Sequence, residues 1–326
     1  MFKVVLTRAV SDWGMEYLRR FAQIEIAPSG IKPSELPAYC QGRDALLCRG
    51  IGAMDEIFFK QLSEGGVKVV ASHGTGLDGC DLKAAAKYHI PVVYAPGANS
   101  RSVAEYTVAL MLTMIKEIHC VTETAHTGDF SNSWRYKTRE FKGMNLYIIG
   151  FGNIGRQVAQ MCQGLGMRVA AYDKYLTREQ IESYGCKYCA ELYDGVPDAD
   201  IVTIHTPLTE ESRGIAGKKM FDMMKPGSYF VNTARPDLMD EDEICDRLES
   251  GQLAGAALDA ASIDKEDPNP RTIANKKIVL SYHVAARTTE ALDAMAKDCA
   301  DGIEAVLHHQ RWAKTANPEV YDKLGW

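Results

Sequence analysis

The chain has 326 residues, of which 46% are apolar, and its formal net charge at pH 7 is −6. This length predicts about two domains, and the negative charge without any basic run argues against a nucleic-acid partner. The longest apolar stretch, near residues 108–115, is too short to cross a membrane, and Arg8 interrupts the first apolar run before a signal-peptide core could form. We therefore expect a cytoplasmic protein without a membrane partner.

The first hundred residues alternate between two kinds of apolar pattern. Short apolar runs predict strands and three- to four-residue spacings predict helices; the strands are 2–6, 45–48, 67–72 and 92–94, and the helices are near 11–21, 55–62 and 82–88. The alternation predicts a small parallel α/β domain. A long helix is predicted at 100–118. The polar stretch 126–141 is predicted to be an irregular connection.

The stretch 144–175 has the order strand, glycine turn, helix, strand and acid. In a dinucleotide site, the first glycine, Gly150, permits a tight turn. Gly152 lets the backbone approach a pyrophosphate, and Gly155 lets the helix pack closely on the strand. The unpaired amides at the start of the helix then face the phosphates. The plainer interpretation is a glycine turn that packs an ordinary βαβ unit.

The acid of this stretch is Asp173, at the end of the second strand. From there its carboxylate can accept hydrogen bonds from an adenosine ribose. It would repel a 2′-phosphate, so the sequence predicts NAD(H) rather than NADP(H). The adjacent Lys174 could partly offset that repulsion.

The rest of the chain continues the alternation. Further strands are predicted at 201–205, 229–232, 256–258 and 278–281, which makes a doubly wound sheet from about 144 to 283. A last helical pattern, at 288–308, has no strand after it. We expect this helix to leave the second domain and return to the first.

Reactive side chains follow several predicted strands, at the edge where doubly wound sheets bind ligands. Arg235, Asp259 and His283 each follow one strand, and a glycine loop at 74–76 follows a strand of the first domain. Arg can clamp a carboxylate, His can exchange a proton near neutral pH, and loop amides can bind carboxylate oxygens. Singly, each residue is more often structural; together they predict a site for a small acid beside a nicotinamide.

The cysteines predict no metal site. Nine cysteines are scattered along the chain, an odd number that fits reduced thiols. Cys186 and Cys189 form a CxxC pair, but no second pair or nearby His completes a zinc ligand set.

The chain resembles the NAD-dependent D-isomer-specific 2-hydroxyacid dehydrogenases over nearly its whole length. The segments that carry the resemblance, in the family's order, are His73-Gly-Thr-Gly-Leu-Asp-Gly-Cys-Asp-Leu82, Ala95-Pro-Gly-Ala-Asn99, Ser102-Val-Ala-Glu105, the Gly150 to Gly155 turn, His205-Thr-Pro-Leu-Thr209, Lys225-Pro-Gly227, Val231-Asn-Thr-Ala-Arg235, Ala256-Ala-Leu-Asp259 and His283-Val-Ala-Ala286.

The resemblance implies a role for each reactive residue. Arg235 would bind the carboxylate and carbonyl of the substrate, and His283 would be the acid–base residue. Asp259 would hold the nicotinamide carboxamide. Thr75 and Gly76 would offer amides to the substrate carboxylate. The implied activity is hydride transfer between NAD(H) and a small 2-hydroxy or 2-oxo acid.

The resemblance also implies the architecture of two Rossmann-like domains. A discontinuous, flavodoxin-like substrate domain, 1–99 and 287–326, would surround a doubly wound NAD-binding domain, 100–286. Members are typically dimers, so a homodimer is expected. The implied cofactor-binding residues are Val103, Gly150, Gly152, Asn153, Ile154, Gly155, Asp173, Thr206, Pro207, Thr233, Ala234, Asp259, His283 and Ala286.

The chain departs from the family pattern in three places. Pro236 follows Arg235, where glycine is usual, and it should hold that arginine in an extended conformation. Tyr282 stands where proline usually precedes the histidine. The catalytic acid is usually Glu; the family spacing leads here to Asp264, and Glu266 lies two positions later. We favour Asp264 as the partner of His283.

The sequence leaves the substrate open. The phosphoglycerate-oxidising members often carry an arginine just before the first glycine loop, where this chain has Ser72 and His73; Arg49 could still serve a phosphate. Hydroxypyruvate, glyoxylate or another short 2-oxo acid is as plausible. The alternative function is a non-catalytic, NAD-sensing protein similar to the corepressors that share this fold.

Overall fold

The computed structural model describes residues 1–50, 52–128, 130–131, 133–136, 138–262 and 267–326. The chain divides into two compact units. Unit 1 comprises Met1–Asn99 and Arg287–Trp326, and unit 2 comprises Ser100–Ala286.

The first part of unit 1 alternates strands and helices. In chain order they are β1 (Phe2–Leu6), α1 (Asp12–Leu18), β2 (Ala22–Ile26), α2 (Leu36–Tyr39), β3 (Ala45–Cys48), α3 (Glu56–Glu64), β4 (Val69–Ser72), α4 (Leu82–Lys87) and β5 (Val92–Tyr94). All neighbouring strands are parallel, in the order β2-β1-β3-β4-β5. This is the flavodoxin-like order, whose switch point lies between β1 and β3.

Local sequence explains where these elements begin. Ser11, Asp55 and Asp81 each cap a helix by accepting a hydrogen bond from the backbone N–H three residues later. Every residue of β3 is buried, as expected for a central strand of a parallel sheet that is covered on both faces.

Unit 2 contains the second sheet. Its elements are α5 (Ser100–Ile115), α6 (Ile118–His126), a 3₁₀ turn (Ser133–Arg135), β6 (Asn145–Ile149), α7 (Asn153–Gly164), β7 (Arg168–Tyr172), α8 (Arg178–Glu182), β8 (Lys187–Tyr188), β9 (Ile201–Ile204), α9 (Lys218–Met223), β10 (Ser228–Asn232), a 3₁₀ turn (Pro236–Leu238), α10 (Glu241–Glu249), β11 (Leu253–Leu258), α11 (Pro270–Ala274) and β12 (Ile278–Leu280). The parallel strands lie in the order β12-β11-β10-β9-β6-β7-β8.

This sheet is covered on both faces. Leu146 and Ile148 of β6 pack on one face with α5 and α7, while Tyr147 and Ile149 pack on the other with α9 and α10. The alternation follows the two-residue repeat of a strand. The strand order reverses between β6 and β9, so the sheet is doubly wound. The predicted α/β class, with two Rossmann-like domains, is confirmed.

The segment after unit 2 joins the sheet of unit 1. It contains α12 (Thr289–Leu307) and α13 (Val320–Leu324), and α12 packs against α1, β4 and β5. Gly14 of α1 lies so close to Ala296 of α12 that a Cβ added at Gly14 would come within 2.5 Å of the Ala296 Cβ. Farther on, Asn317 bonds to the backbone of Ile90 and Val92.

The secondary-structure prediction was wrong in several places, and it missed helix α2 and the short strand β8 altogether. Strand β2 was not predicted, because its sequence Ala-Gln-Ile-Glu-Ile is mostly half-buried or exposed at the sheet edge. The predicted helix 100–118 ends at Ile115, and Glu117 has a left-handed φ of 50° before α6 begins. None of the residues of α6 is buried, and its apolar residues Ile118 and Val121 are exposed.

Candidate active site

The turn between β6 and α7 requires glycine at two of its three glycine positions and borders open space at the third. Gly150 has φ +93°, and a Cβ there would lie 2.7 Å from the carbonyl oxygen of His205. A Cβ at Gly155 would overlap the carbonyl oxygen of Gly150. A Cβ at Gly152 would meet nothing within 4 Å, and no side chain caps the helix that begins at Asn153. The first amides of α7 therefore border open space that suits an anion.

Asp173, directly after β7, is bonded to this turn. Its Oδ2 accepts from the Phe151 N–H at 2.8 Å, and its Oδ1 accepts from the Tyr175 N–H at 2.9 Å. Each oxygen can accept a further bond. The carboxylate lies in the lining of a cavity of about 210 Å³, together with Gly152 and Thr206.

The same cavity contains a buried hydroxyl without a protein partner. Thr206 Oγ1 is shielded from solvent and has no hydrogen-bond partner among the described residues. Buried polar atoms are normally bonded, so this oxygen fits a position whose partner is a ligand. The adjacent His205 is neutral, since burial lowers its pKa to about 3, and its Nε2 lies 3.1 Å from Thr203 Oγ1.

Arg235 lies in the turn after β10, and Asn232 braces this turn. The fully buried Asn232 accepts from the Ala234 N–H at 2.9 Å and donates to the Arg235 carbonyl at 2.8 Å. Arg235 is extended, with φ −142° and ψ 143°, which confirms the expected effect of Pro236. Its Nη1 donates to the carbonyl of Ala234 at 2.8 Å. The guanidinium is thus half-buried on a braced loop.

Two hydroxyls of α5 tie down the loops that follow β10 and β12. Thr107 Oγ1 lies 2.8 Å from Thr233 Oγ1, and Ser102 Oγ donates to the carbonyl of Ala285. These four residues are buried, as is Val103 beside them on the helix. One helix therefore fixes both loops that carry candidate reactive groups.

Asp259 is fully buried, and its carboxylate holds the loop after β12. Oδ1 accepts from Ser281 Oγ at 2.6 Å and from the Val284 N–H at 2.9 Å. Oδ2 accepts from the Ala285 N–H at 2.9 Å. These donors satisfy a charge that would otherwise be costly to bury. Since a carboxylate has about four acceptor positions, one remains for a ligand.

His283 has a left-handed backbone, with φ 55°. Residues other than glycine seldom adopt this conformation, and such strain costs about 1–3 kcal/mol. The conformation persists here because Asp259 makes three hydrogen bonds to this loop. The Asp259 carbonyl accepts from the His283 N–H at 2.8 Å, and the Asp259 carboxylate accepts from the N–H groups of Val284 and Ala285. The His283 residue is exposed.

In unit 1, Thr75 and Gly76 lie in the loop after β4, and both are half-buried. The neighbouring Gly74 carbonyl accepts from the Ala95 N–H at 3.0 Å, which fixes the start of the loop. A Cβ at Gly74 would meet nothing within 4 Å. The backbone here is open enough for a ligand to reach it.

Arginines gather at the carboxyl ends of β1 and β3, the switch point of the unit 1 sheet. A cavity of about 690 Å³ there is lined by Arg8 and Arg49, with no acidic side chain among its described lining residues. Burial, and then the charges of Arg287 and Arg8, lower the pKa of Arg49. Burial, and then the charge of Arg49, lower the pKa of His73 to about 4.

The other predicted residues lie close to these loops or outside the described residues. Asn153 and Ile154 open α7, Pro207 lines the cavity of Asp173, Ala234 precedes Arg235, and Ala286 ends unit 2. Asp264 and Glu266 lie outside the described residues.

Sequence reasoning missed the side chains that brace the site: Asn232, Thr107 and Ser281. Asn232 did carry a signal, because it is a polar residue at the end of a strand that is buried throughout. The bonds of the other two join positions far apart in sequence, such as Thr107 to Thr233, which one sequence does not reveal.

The CxxC pair does not converge on a ligand. Cys186 packs in the core on one face of the unit 2 sheet and Cys189 in the core on the other, and burial raises the pKa of Cys186 to about 11. In the part of the chain that the structure describes, no three His, Cys, Asp or Glu residues cluster as metal ligands. No described helix has the length and apolar character needed to span a membrane.

The doubly wound sheet of unit 2, the glycine turn after β6 and Asp173 after β7 together define a dinucleotide-binding domain. Residues 108–285 match the family model "D-isomer specific 2-hydroxyacid dehydrogenase, NAD binding domain". This match covers more than half of the chain. The chain belongs to the D-isomer-specific 2-hydroxyacid dehydrogenase family, and its cofactor is NAD.

Known relatives extend the likeness to the whole chain. It is 31% identical to a D-3-phosphoglycerate dehydrogenase of Methanocaldococcus jannaschii over 100% of this chain and 62% of that one. It is 29% identical to a glyoxylate reductase of Thermococcus litoralis over 98% of this chain and 97% of that one. The fold matches that of a Polaromonas protein assigned to this family, with a TM-score of 0.89 and 24% identity. The match covers 97% of this chain and 99% of that one. The chain spans little more than half of several other curated relatives.

Proposed function

We propose that this chain is an NAD-dependent D-2-hydroxyacid dehydrogenase that transfers a hydride between NAD(H) and a small 2-hydroxy or 2-oxo acid. The observation that carries the proposal is the strained His283 loop, held by the buried Asp259 carboxylate. His89, Glu117 and His309 also have a left-handed φ, but each of them follows a helix, whereas His283 follows a strand of the sheet. Strands β10, β11 and β12, which precede Arg235, Asp259 and His283, are neighbours in the sheet.

Each residue then has a defined part in the reaction. Bound NADH supplies the hydride to the carbonyl carbon of the 2-oxo acid. Arg235 binds the carboxylate of the acid and stabilises the charge that develops on the carbonyl oxygen. Protonated His283 donates its proton to that oxygen, and neutral His283 takes it back in the oxidation. Asp259 holds the His283 loop and keeps one acceptor position for the nicotinamide carboxamide.

We assign the cofactor to unit 2, and we assign contacts with the substrate carboxylate to the Thr75 and Gly76 loop of unit 1 in addition to Arg235. Unit 2 has the glycine turn, Asp173 and the unpartnered Thr206 hydroxyl. Unit 1 has the loop of Thr75 and Gly76, whose amides suit a carboxylate.

The substrate is a short 2-oxo acid such as glyoxylate or hydroxypyruvate, or the corresponding hydroxy acid. A phosphorylated acid is the second candidate. The cavity lined by Arg8 and Arg49, with Arg287 near enough to lower the pKa of Arg49, favours it, because gathered guanidinium groups suit a dianion.

We also propose a homodimer. Between residues 118 and 134 of unit 2, four large apolar side chains are exposed: Ile118, Val121, Phe130 and Trp134. Exposed apolar residues close together in sequence are typical of an interface. Sedimentation of the full chain at the mass of one protomer across the micromolar range would contradict this assignment.

A panel of 2-oxo acids tests the proposed activity. Oxidation of NADH is followed with glyoxylate, pyruvate, hydroxypyruvate and phosphohydroxypyruvate. We expect turnover with at least one of them. If phosphohydroxypyruvate has the highest kcat/KM, Arg49→Gln should reduce that value and leave the others unchanged. NADH binding without turnover of any acid would instead support the corepressor-like alternative.

A further inference from the structure

The cavity of about 210 Å³ that contains Asp173 and Thr206, here called the cofactor cavity, has more acidic than basic side chains among its described lining residues. Its described lining residues include two carboxylates, Asp173 and Glu211, and a single cation, Lys174. His205 also lines the cavity but is neutral, because burial lowers its pKa to about 3. A ligand group near these side chains therefore meets a net charge of about −1.

Lys174 is bonded to Glu211 rather than to its neighbour Asp173. Lys174 Nζ donates to Glu211 Oε2 at 2.5 Å. Both Asp173 oxygens accept from backbone amides instead, those of Phe151 and Tyr175. The hydrogen bond to Glu211, and then its charge, raise the pKa of Lys174. The ammonium stays charged at neutral pH, and that charge is directed at Glu211.

An ordered loop places Glu211. Ser212 Oγ accepts from the Thr209 N–H at 2.8 Å and donates to the Pro207 carbonyl at 2.7 Å, while Thr209 Oγ1 accepts from the Ser212 N–H at 3.2 Å. Glu211 lies between these two bonded residues. Its backbone is therefore fixed, although its side chain is largely exposed.

We propose that Glu211 is a specificity-determining residue for the cofactor: by binding Lys174, it keeps the single ammonium of the cavity from a 2′-phosphate. Such a phosphate carries about −1.5 to −2 charges. It would meet the carboxylates of Asp173 and Glu211 while Lys174, the one cation among the described lining residues, is occupied. NADH has no such phosphate, so Glu211 leaves its binding almost unchanged. This role rests on the assignment of NAD to unit 2.

The test is the affinity of the full-length protein for NADPH and NADH, measured by fluorescence titration without substrate. Glu211→Gln should lower the Kd for NADPH by about two- to fivefold, which is the scale expected of an exposed ion pair. The Kd for NADH should change by less than about twofold. Adding Lys174→Met to Glu211→Gln should abolish the gain, because the released ammonium is its cause.

The neighbouring Glu210 provides the matched control. It is exposed, lies in the same loop and does not line the cavity, and Glu210→Gln changes the net charge by the same amount. An equal gain in NADPH affinity with Glu210→Gln, or a gain that survives Lys174→Met, would overturn the role of Glu211. Wild-type protein that fails to bind NADH would instead overturn the assignment of the cofactor, so the two failures are distinguishable.

Discussion

Asp259 holds His283 in its left-handed backbone conformation: the Asp259 carbonyl accepts from the His283 N–H at 2.8 Å, and its carboxylate accepts from the two following amides. Asp259→Asn would place an amide group against a backbone N–H or the Ser281 hydroxyl. We expect the free energy of unfolding to fall by about 1–3 kcal/mol. We also expect kcat to fall by about tenfold or more, because the imidazole is no longer held in place.

Ser281→Ala is the matched control for this change. It removes one of the three bonds to the carboxylate and leaves the two amides in place. The loss of stability should be about 1 kcal/mol, with a smaller effect on kcat. Urea denaturation and steady-state kinetics check both variants. Normal turnover of Asp259→Asn would show that the bonds to Asp259 do not position His283.

His283→Ala should lower kcat by roughly 10²–10⁴, the usual contribution of a positioned acid–base group. The Kd for NADH should change little, since the glycine turn lies after a different strand. His89→Ala is the control, because His89 is also an exposed histidine with a left-handed φ, of 60°, but lies outside the candidate site. Near-normal turnover of His283→Ala would exclude this residue as the proton donor.

Arg235→Lys should lower kcat/KM for the 2-oxo acid by about 10² or more, because an ammonium cannot make the two-pronged contact with a carboxylate. NADH affinity should be retained. Arg213→Lys is the control: Arg213 is exposed and pairs with Asp237, a contact that lysine can keep. If Arg235→Lys weakens NADH binding alone, Arg235 is a cofactor residue.

The acid that partners His283 can be found from pH profiles. A nearby carboxylate favours the protonated imidazole, which is the form that reduces the 2-oxo acid. Its loss should move the alkaline limb of kcat/KM for reduction to lower pH. We expect this shift for Asp264→Asn and not for Glu266→Gln. The opposite pattern would show that Glu266, two positions later, is the partner.

Acid should destabilise unit 2 through His205. Burial lowers the pKa of this residue to about 3, below the value of about 6.5 expected in the unfolded chain. The neutral form is therefore favoured on folding, and its contribution to stability is complete above pH 6.5 and is lost as the pH falls toward 3. The loss is at most about 1.4 kcal/mol per pH unit.

Urea denaturation at pH 7 and pH 5 measures this effect. The wild-type protein should lose more stability over that interval than His205→Gln, whose side chain does not titrate. An equal loss in both proteins would assign the acid sensitivity to other groups, of which the buried His73 in unit 1, with a pKa lowered to about 4, is the first to examine.

The sequence predicted the parts of this protein that depend on local patterns. We could predict the glycine turn and Asp173, because a dinucleotide site requires these residue types at fixed spacing. We could also predict the reactive residues that follow strands, because ligands bind at that edge of a doubly wound sheet. Strand β2 was missed because an edge strand need not be apolar. We did not predict the hydrogen bond from Asn232 to the Arg235 carbonyl or the one between Thr107 and Thr233. Both depend on how the folded segments pack together. The pairing of Lys174 with Glu211, 37 positions apart, could not be read from the chain either.

Transfer of deuterium from the cofactor tests the central claim most directly. The protein is incubated with NADH that carries deuterium at both C4 positions of the nicotinamide and with each 2-oxo acid of the panel, and the products are separated by chiral chromatography and examined by mass spectrometry. We predict a 2-hydroxy acid that carries deuterium on C2, with D configuration where C2 is a stereocentre, and a rate of formation at least about 10²-fold lower with His283→Ala. Protein that binds NADH but gives no deuterated product with any acid would contradict the account.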